Sequence, residues 1–456
     1  MPRKTKIIFI SVFILVGLGF FSYYLYNKKN SGSPNETNSN SYGVFGGLFN
    51  TKKTSENNTT TNIIDESSSQ ESGDSAINQE QPKIRLHKLT DFAVSGAVFF
   101  EDTRPLPIDE VPVRGGNQPA ETLTETPLKG GEKPLDTKNK NLTEAKAAVP
   151  TVEIVPSLRY VEKVTGHIYQ MYLDTKTVTK ISNSTIPGIY EAIFDGKASS
   201  IIYRYLSSDN KTVSSYLATL GGSKGEFLPS NIIDVSLSPD KNQIFYLVKN
   251  SNGVSGSTRS FSENKKSQVF ASPYSEWLSQ WVGPSNIFLT TKASNSVNGS
   301  LFSLNITNGT LKKIFGGVRG LTTLSNRDGT VVLYSSSNNS GSELNLLTVA
   351  DYTTSNLNVS GLPEKCVWAE DNITIYCAIP NNMIGKQPDS WYQGLTSFED
   401  TFVKIDTGTG EVSNVANDSS LDGQYLDATH LFLNSKNNSL FFINKKDGTL
   451  WGLDLE

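Results

Sequence analysis

The chain has 456 residues, enough for two or three domains. Its 41 basic and 45 acidic residues nearly cancel, which gives no reason to expect a nucleic-acid partner, since such a partner normally needs a basic face. Only 36% of the residues are hydrophobic, a composition that fits disordered segments or many short strands joined by polar turns.

Residues 7–26, IIFISVFILVGLGFFSYYLY, form an uncharged apolar run long enough to cross a bilayer as one helix. Arg3, Lys4 and Lys6 precede it, and Lys28 and Lys29 follow. Tyr23, Tyr24 and Tyr26 suit the far headgroup layer. We read an uncleaved signal anchor with a cytoplasmic tail and the bulk outside, rather than a cleaved signal peptide, because no small-x-small cleavage site is evident. Residues 30–85 are rich in Asn, Ser, Thr and Gly and lack the apolar density to offset ordering entropy, so they read as a disordered tether. Within it, VFGGLF at 44–49 is an apolar island. DFAVSGAVFF at 91–100 is apolar enough for a strand, and the polar stretch at about 102–150 reads as a disordered insertion.

From there a phrase recurs: a polar turn running into a very apolar strand. SPDKNQIFYL at 238–247 is the clearest copy. FDGKASSIIYR, VGPSNIFLTT, SNRDGTVVLYS, AEDNITIYCA and NSKNNSLFFIN are others. The copies lie about 43 residues apart until the last step, which is lengthened by an insertion at roughly 380–400. Each period adds two alternating strands after the apolar one, as in SLFSLNIT followed by NGTLKKIF. Four strands per period of this length make a blade, and the count gives an all-β, seven-bladed β-propeller over 86–456, preceded by one transmembrane helix and a disordered linker. The last blade ends on its third strand and so lacks an outer one. Residues 91–100 are either the innermost strand of blade one or the strand that completes blade seven; similarity to the other entering strands favours the former.

The turn phrase and the outer hairpins resemble the repeats of TolB-like and WD-type propellers. YVEKVTGHIY, SEWLSQW, GLTTL, LPEKCVW, PDSWYQG and LFFINKKDGTLW resemble, more closely, a family of membrane-anchored propeller proteins of small-genome bacteria. That resemblance covers about 160–456 and implies a fold; the family has no established activity, so it implies no function.

Candidate chemistry is sparse. His87, His167 and His430 lie in different parts of the chain, with no motif for a metal, a cofactor or a phosphate around them; blades one and seven adjoin in a closed ring, which would let His167 and His430 approach, but unrelated positions are the preferred reading. Cys366 and Cys377 flank the turn at Asp371-Asn372 and are expected to face each other as a disulfide in an oxidising exterior. Counting from a two-residue turn puts them at a hydrogen-bonded pair, the less comfortable position, unless a bulge intervenes. Aromatic residues mark the expected binding surface: Trp391 and Tyr392 in the blade-six insertion with Asp389, and Trp277 with Glu276, Trp368 and Arg319 near blade entries. For Trp277, Trp281, Trp368 and Trp451 packing between blades, where large aromatics usually lie, is the preferred reading. The expected function is binding or scaffolding of an envelope protein, peptide or glycan by an extracytoplasmic module held in the lipid bilayer through 7–26. The alternative is a propeller hydrolase or lyase acting on glycans, whose carboxylates would come from Glu191, Asp234, Glu276 or Glu364 at the channel mouth.

Overall fold

A computed structural model of the chain describes residues 85–105, 152–222, 225–339, 341–416 and 423–455. The expected membrane helix at 7–26, the tether and most of the insertion lie outside the described residues. Among those described, no helix is long and apolar enough to cross a membrane.

Seven four-stranded antiparallel sheets follow one another around a channel. Blade one comprises β2 (Val94–Pro105), β3 (Val152–Glu162), β4 (Ile168–Tyr172) and β5 (Val178–Lys180). Blade two holds β6–β9, from Ile189–Phe194 to Gly225–Phe227, and blade three β10–β13, from Ile232–Leu237 to Lys266–Ser272. Blade four holds β14–β17, from Trp277–Val282 to Leu311–Arg319, and blade five β18–β21, from Thr323–Ser325 to Thr354–Ser360. Blade six comprises β22 (Cys366–Trp368), β23 (Thr374–Pro380), β24 (Asp400–Asp406) and β25 (Val412–Asn414). Blade seven has β26 (Ala428–Leu433), β27 (Ser439–Asn444) and β28 (Leu450–Asp454).

Residues 91–100 therefore open blade one, and the missing strand of blade seven comes from elsewhere. Leu86–Lys88, β1, pairs with β28, Leu86 opposite Leu453 and Lys88 opposite Trp451. Arg85 reinforces the join by donating from Nε to the Asp454 carbonyl at 2.8 Å and from Nη1 to the Val415 carbonyl at 2.9 Å. The expectation of a three-stranded last blade is corrected: a three-residue strand carries too little periodicity to stand out in sequence. Strand β2 also runs past the expected start of the insertion, with Asp102 opposite Val155 and Pro105 opposite Val152.

The core is divided into wedges. A cluster of buried apolar residues fills each gap between consecutive blades, for example Ile202, Leu217, Ile232 and Tyr246 between blades two and three. Phe441, Ile443 and Leu450 meet Leu158, Tyr160 and Met171 where blade seven closes on blade one. A second strand touches a neighbouring blade on both faces, which is why it is apolar throughout; Ile201 and Ile202 are both fully buried. Gly96 marks the tightest approach, since a Cβ there would lie 2.0 Å from the Ala192 carbonyl oxygen of blade two.

The recurring phrase is one turn repeated. In five blades a four-residue loop joins first and second strands, with its third residue in the left-handed region: Ala198, Lys241, Gly329, Asn372 and Asn437. The pairs that close it, such as Ser238 N–H to Gln243 O at 2.9 Å and Ala369 N–H to Thr374 O at 2.8 Å, are hydrogen-bonded. This loop corrects the expected two-residue turn in blade six. Two more loop residues shift the alternation by one step, so Cys366 and Cys377 fall on a non-hydrogen-bonded pair, 4.0 Å apart at Cα, and are joined as a disulfide without a bulge. The bridge closes a loop with a sequence separation of 11. Chain entropy assigns a loop of this size about 3 kcal/mol. Reduction, or Cys377→Ala, is expected to lower the denaturant midpoint of the full chain accordingly. An unchanged midpoint would mean that the bridge adds nothing to the blade-five/blade-six wedge around it.

Candidate functional site

The two ends of the channel differ. At one end the first-to-second-strand turns gather, and they surround a cavity of about 950 Å³. Its walls are largely apolar, with Phe99, Ile193, Leu237, Val367, Trp368 and Phe432 on five different blades. Its lining carries charges of both signs: Lys197, Lys241 and Arg327 from the turns of blades two, three and five, and Glu101, Glu191 and Glu370. None of the three basic side chains has an ion-pair partner within 4 Å among the described residues; of the acidic ones, Glu101 and Glu191 are engaged, while Glu370 faces Lys241 without a close contact. Glu101 accepts a hydrogen bond from Ser435 at 2.8 Å, and Glu191 is paired with Arg204. Enclosure by the channel walls lowers the Lys241 pKa; Glu370 opposes that shift and the Arg327 charge adds to it. Deeper in, His430 sits at φ +53° on the first strand of blade seven. It touches solvent yet is walled by protein, and that desolvation lowers its pKa against the pull of Glu191. Asp234 accepts hydrogen bonds from the Ser279 amide and hydroxyl at 2.7 and 2.5 Å, while burial raises its pKa.

The opposite end carries the second-to-third-strand loops, and the blade-six insertion lies over them. Its one helical turn, α1 (Asp389–Tyr392), is pinned on several blades. Asp389 accepts from the Asn295 amide at 2.6 Å, and the Gln387 carbonyl accepts from Ser337 at 2.6 Å. Lys445 of blade seven donates to the Trp391 carbonyl and stands 4.1 Å from the Trp391 ring centroid. Beneath the insertion, Leu362, Trp391 and Phe398 form a small apolar cluster of their own.

Under that cluster is a group of charges that sequence reasoning missed. Lys365, Asp400 and Asp427 have side chains with no solvent exposure. Lys365 Nζ lies 2.8 Å from Asp400 Oδ2, 2.7 Å from Asp427 Oδ1 and 2.8 Å from the Ala428 carbonyl. Burial raises the Asp400 pKa to about 6, more than the Lys365 charge and the Ala428 amide can offset. Burial acts on Asp427 too, but there the Lys365 charge and hydrogen bonds from Lys365, the Phe398 amide and the Trp391 indole win, and the pKa falls. Alongside, Tyr392 donates to Glu364, which also accepts from Thr322 at 3.0 Å. Burial raises the Glu364 pKa and, with the Glu364 charge, holds Tyr392 well above its ordinary value.

These placements correct the expected aromatic cup. Trp391 is 5% exposed, its indole turned inward onto Asp427, because the insertion folds back onto the ring instead of standing away from it. Tyr392 is partly exposed but committed to Glu364, and Asp389 to the Asn295 amide. Trp277 packs edge-on between Phe270 and Phe302 in the wedge between blades three and four, the inter-blade packing preferred for it from sequence. Glu276 is exposed and 3.4 Å from Lys292, and Arg319 ends an outer strand. Trp368 alone of the expected binding residues lines the channel cavity. Of the candidate carboxylates, Glu191 lines that cavity, Asp234 lies on the first strand of blade three, and Glu276 and Glu364 lie toward the other end. His167 and His430 are not brought together: His167 bonds Thr185 at 3.2 Å, and His87 lies 3.2 Å from Asp454 on the outer edge of blade seven. Among the described residues no group of His, Cys, Asp or Glu is arranged to hold a metal ion. The gathering of these charged turns had a signal, since Lys197, Lys241, Arg327 and Glu370 sit in the turn phrase itself and equivalent turns must lie at one end of the ring.

No family model and no curated protein matches the chain. Solved structures do. An oligogalacturonate lyase in complex with manganese is similar at 9% identity and a TM-score of 0.47, over 66% of this chain and 86% of the other. The oligogalacturonate lyase of Vibrio parahaemolyticus is similar at 8% identity and 0.48, with the same coverage of 66% and 86%. TolB from Acinetobacter baumannii is similar at 11% identity and 0.38, over 66% and 77%. At these identities the likeness is one of fold alone.

Proposed function

We propose that this chain is an extracytoplasmic binding module, held at the membrane through residues 7–26, whose propeller takes an anionic peptide or glycan of the envelope at the turn end of its channel. The observation that carries the reading is the convergence of Lys197, Lys241 and Arg327, without ion-pair partners among the described residues, on an apolar-walled cavity of about 950 Å³. Unpaired cations on a concave surface raise the local concentration of anions, and apolar walls give contact area to sugar rings or side chains. The cross-strand disulfide supports an oxidising compartment, and the apolar run at 7–26 supports the anchor.

A glutamate-rich peptide and a uronic-acid oligosaccharide serve as defined probes in calorimetric titration of the full chain. One of them is expected to bind, more weakly as salt rises. The double variant Lys241→Glu/Arg327→Glu is expected to weaken it by at least about tenfold, because like charges then face the ligand. Failure of both probes with the wild type, or an unaltered affinity in the double variant, refutes the reading. Shortening of the oligosaccharide during the titration replaces it with the hydrolase or lyase alternative.

A further inference from the structure

A lysine ammonium enclosed with two carboxyl groups, all at zero exposure, is an expensive arrangement, since the desolvation of buried ions often exceeds their mutual attraction. Here its geometry is that of a reaction. We propose that Lys365 and Asp427 condense autocatalytically to an amide, a covalent cross-link between blades six and seven, with Asp400 as proton relay.

Three features of the cluster carry this. The first is proximity. Nζ is 2.7 Å from Asp427 Oδ1, which places Cγ within about 4 Å of the nitrogen. The groups are held there by separate blades, so the entropic cost of bringing them together is met by folding. The second is the treatment of the other oxygen. Asp427 Oδ2 accepts from the Phe398 amide at 3.1 Å, the Ser397 hydroxyl at 3.2 Å and the Trp391 indole at 3.2 Å. Two donors on this oxygen, with an indole shared with Oδ1 at 3.1 Å, form the cradle that stabilises negative charge in a tetrahedral intermediate. The third is Asp400. Its Oδ2 contacts Nζ and accepts from the Ala428 amide at 2.6 Å, while its Oδ1 is buried with no hydrogen-bond partner. That spare oxygen is free to take and return a proton. Burial pushes this carboxyl up to about 6, within reach of both protonation states near neutrality. The rings of Trp391 and Phe398, centred 5.3 and 5.5 Å from Nζ, help to keep the site free of water that would reverse the condensation.

The chemistry balances without any other reactant. The ammonium gives a proton to Asp400, which passes it to Asp427 Oδ1, and the amine lone pair then attacks Cγ of the neutral acid. The C–N bond forms as charge builds on Oδ2. The Cγ–Oδ1 bond then breaks, and Oδ1 leaves as water with two of the three ammonium protons, delivered through Asp400. An ammonium and a carboxylate become one neutral amide and one water, with no change of oxidation state. Two buried charges disappear, which is the thermodynamic gain.

Intact-mass spectrometry of the reduced, denatured full chain tests the bond, with tandem sequencing of its digest. The wild type is expected one water lighter than its sequence, with a branched peptide joining Lys365 to Asp427. Lys365→Arg and Asp400→Ala are expected at full mass, the second because both bonding partners remain but the relay is gone. A wild type at full sequence mass overturns the proposal, as does a deficit that maps elsewhere or persists in Lys365→Arg. An amide that still forms in Asp400→Ala overturns the relay. The wild-type spectrum decides the central point even if a variant does not fold.

Discussion

Replacement of Lys365 by methionine is expected to lower the unfolding free energy by about 3–5 kcal/mol, the cost of removing one member of a buried charge group. Two carboxyls that share a single ammonium at zero exposure are left without it, and the Ala428 carbonyl loses a donor. Loss of the amide inferred above acts in the same direction. The effect depends on pH with a definite sign. The folded pKa of Asp400, about 6, lies above its unfolded value. Its contribution to stability is therefore full below the unfolded pKa, near 4, and is lost as the pH rises through 6. In the chain before the amide forms, Asp427 is depressed, so its contribution is present above the unfolded value and is lost as the pH falls through the lower folded one; once condensed it no longer titrates, and the pH dependence rests on Asp400. Without the ammonium both carboxyls are harder to ionise, so Lys365→Met is expected to cost more at pH 8 than at pH 5. Asp400→Asn should flatten the wild-type decline between about pH 4 and 6. Denaturant melts across that range provide the measurement. A loss below about 1 kcal/mol at pH 8 would show that the cluster is in effect solvated, like a surface pair.

A chain that starts at residue 91, compared with one that starts at 80, is expected to lose roughly 4–6 kcal/mol. Burial of one leucine side chain is worth about 1.5–3 kcal/mol and each hydrogen bond about 0.5–1.5 kcal/mol. The shorter chain loses Leu86, which is 6% exposed against blade seven. It also loses the Arg85 bonds to Asp454 and Val415 and the bond from the Leu450 amide to Thr90 Oγ1 at 2.9 Å. More important is what becomes exposed. Strand β28 turns into a free edge, a template for pairing with other chains, so the truncated protein should associate with rising concentration while the longer one does not. Scattering and thermal melts of the two chains are the comparison. Equal melting temperatures would mean that the ring holds by its wedges alone.

The two ends of the ring divide its labour. At one end the insertion is pinned to several blades and shields the charge cluster. At the other, the turns stay short and leave charged side chains, Lys197, Lys241, Arg327 and Glu370 among them, around an open cavity. A rigid cap at one end leaves the other as the accessible entrance, which is consistent with the proposed use of the mouth for binding.

How far the sequence alone carried this protein follows from the range of the forces involved. The seven blades, their strand grammar and the apolar second strands were legible because period-two burial and a repeated turn are local, and each blade repeats the test. The facing cysteines were legible for the same reason, but their pairing type was not: it depended on two loop residues that belong to the turn's left-handed conformation at Asn372. The aromatic surface was misread because a tryptophan in a long loop looks the same whether the loop stands free or folds back, and Trp391 is buried by partners 36 residues away and further. Lys365, Asp400 and Asp427 carried no signal, since each sits alone in its own segment; the blade-six sheet brings the first two together and the closing of blade seven on blade six adds the third. The chain's local order thus determined the fold class, whereas the closing strand, the inward insertion and the charge cluster were decided by the ring, because contacts between distant segments exist only once its curvature has been set.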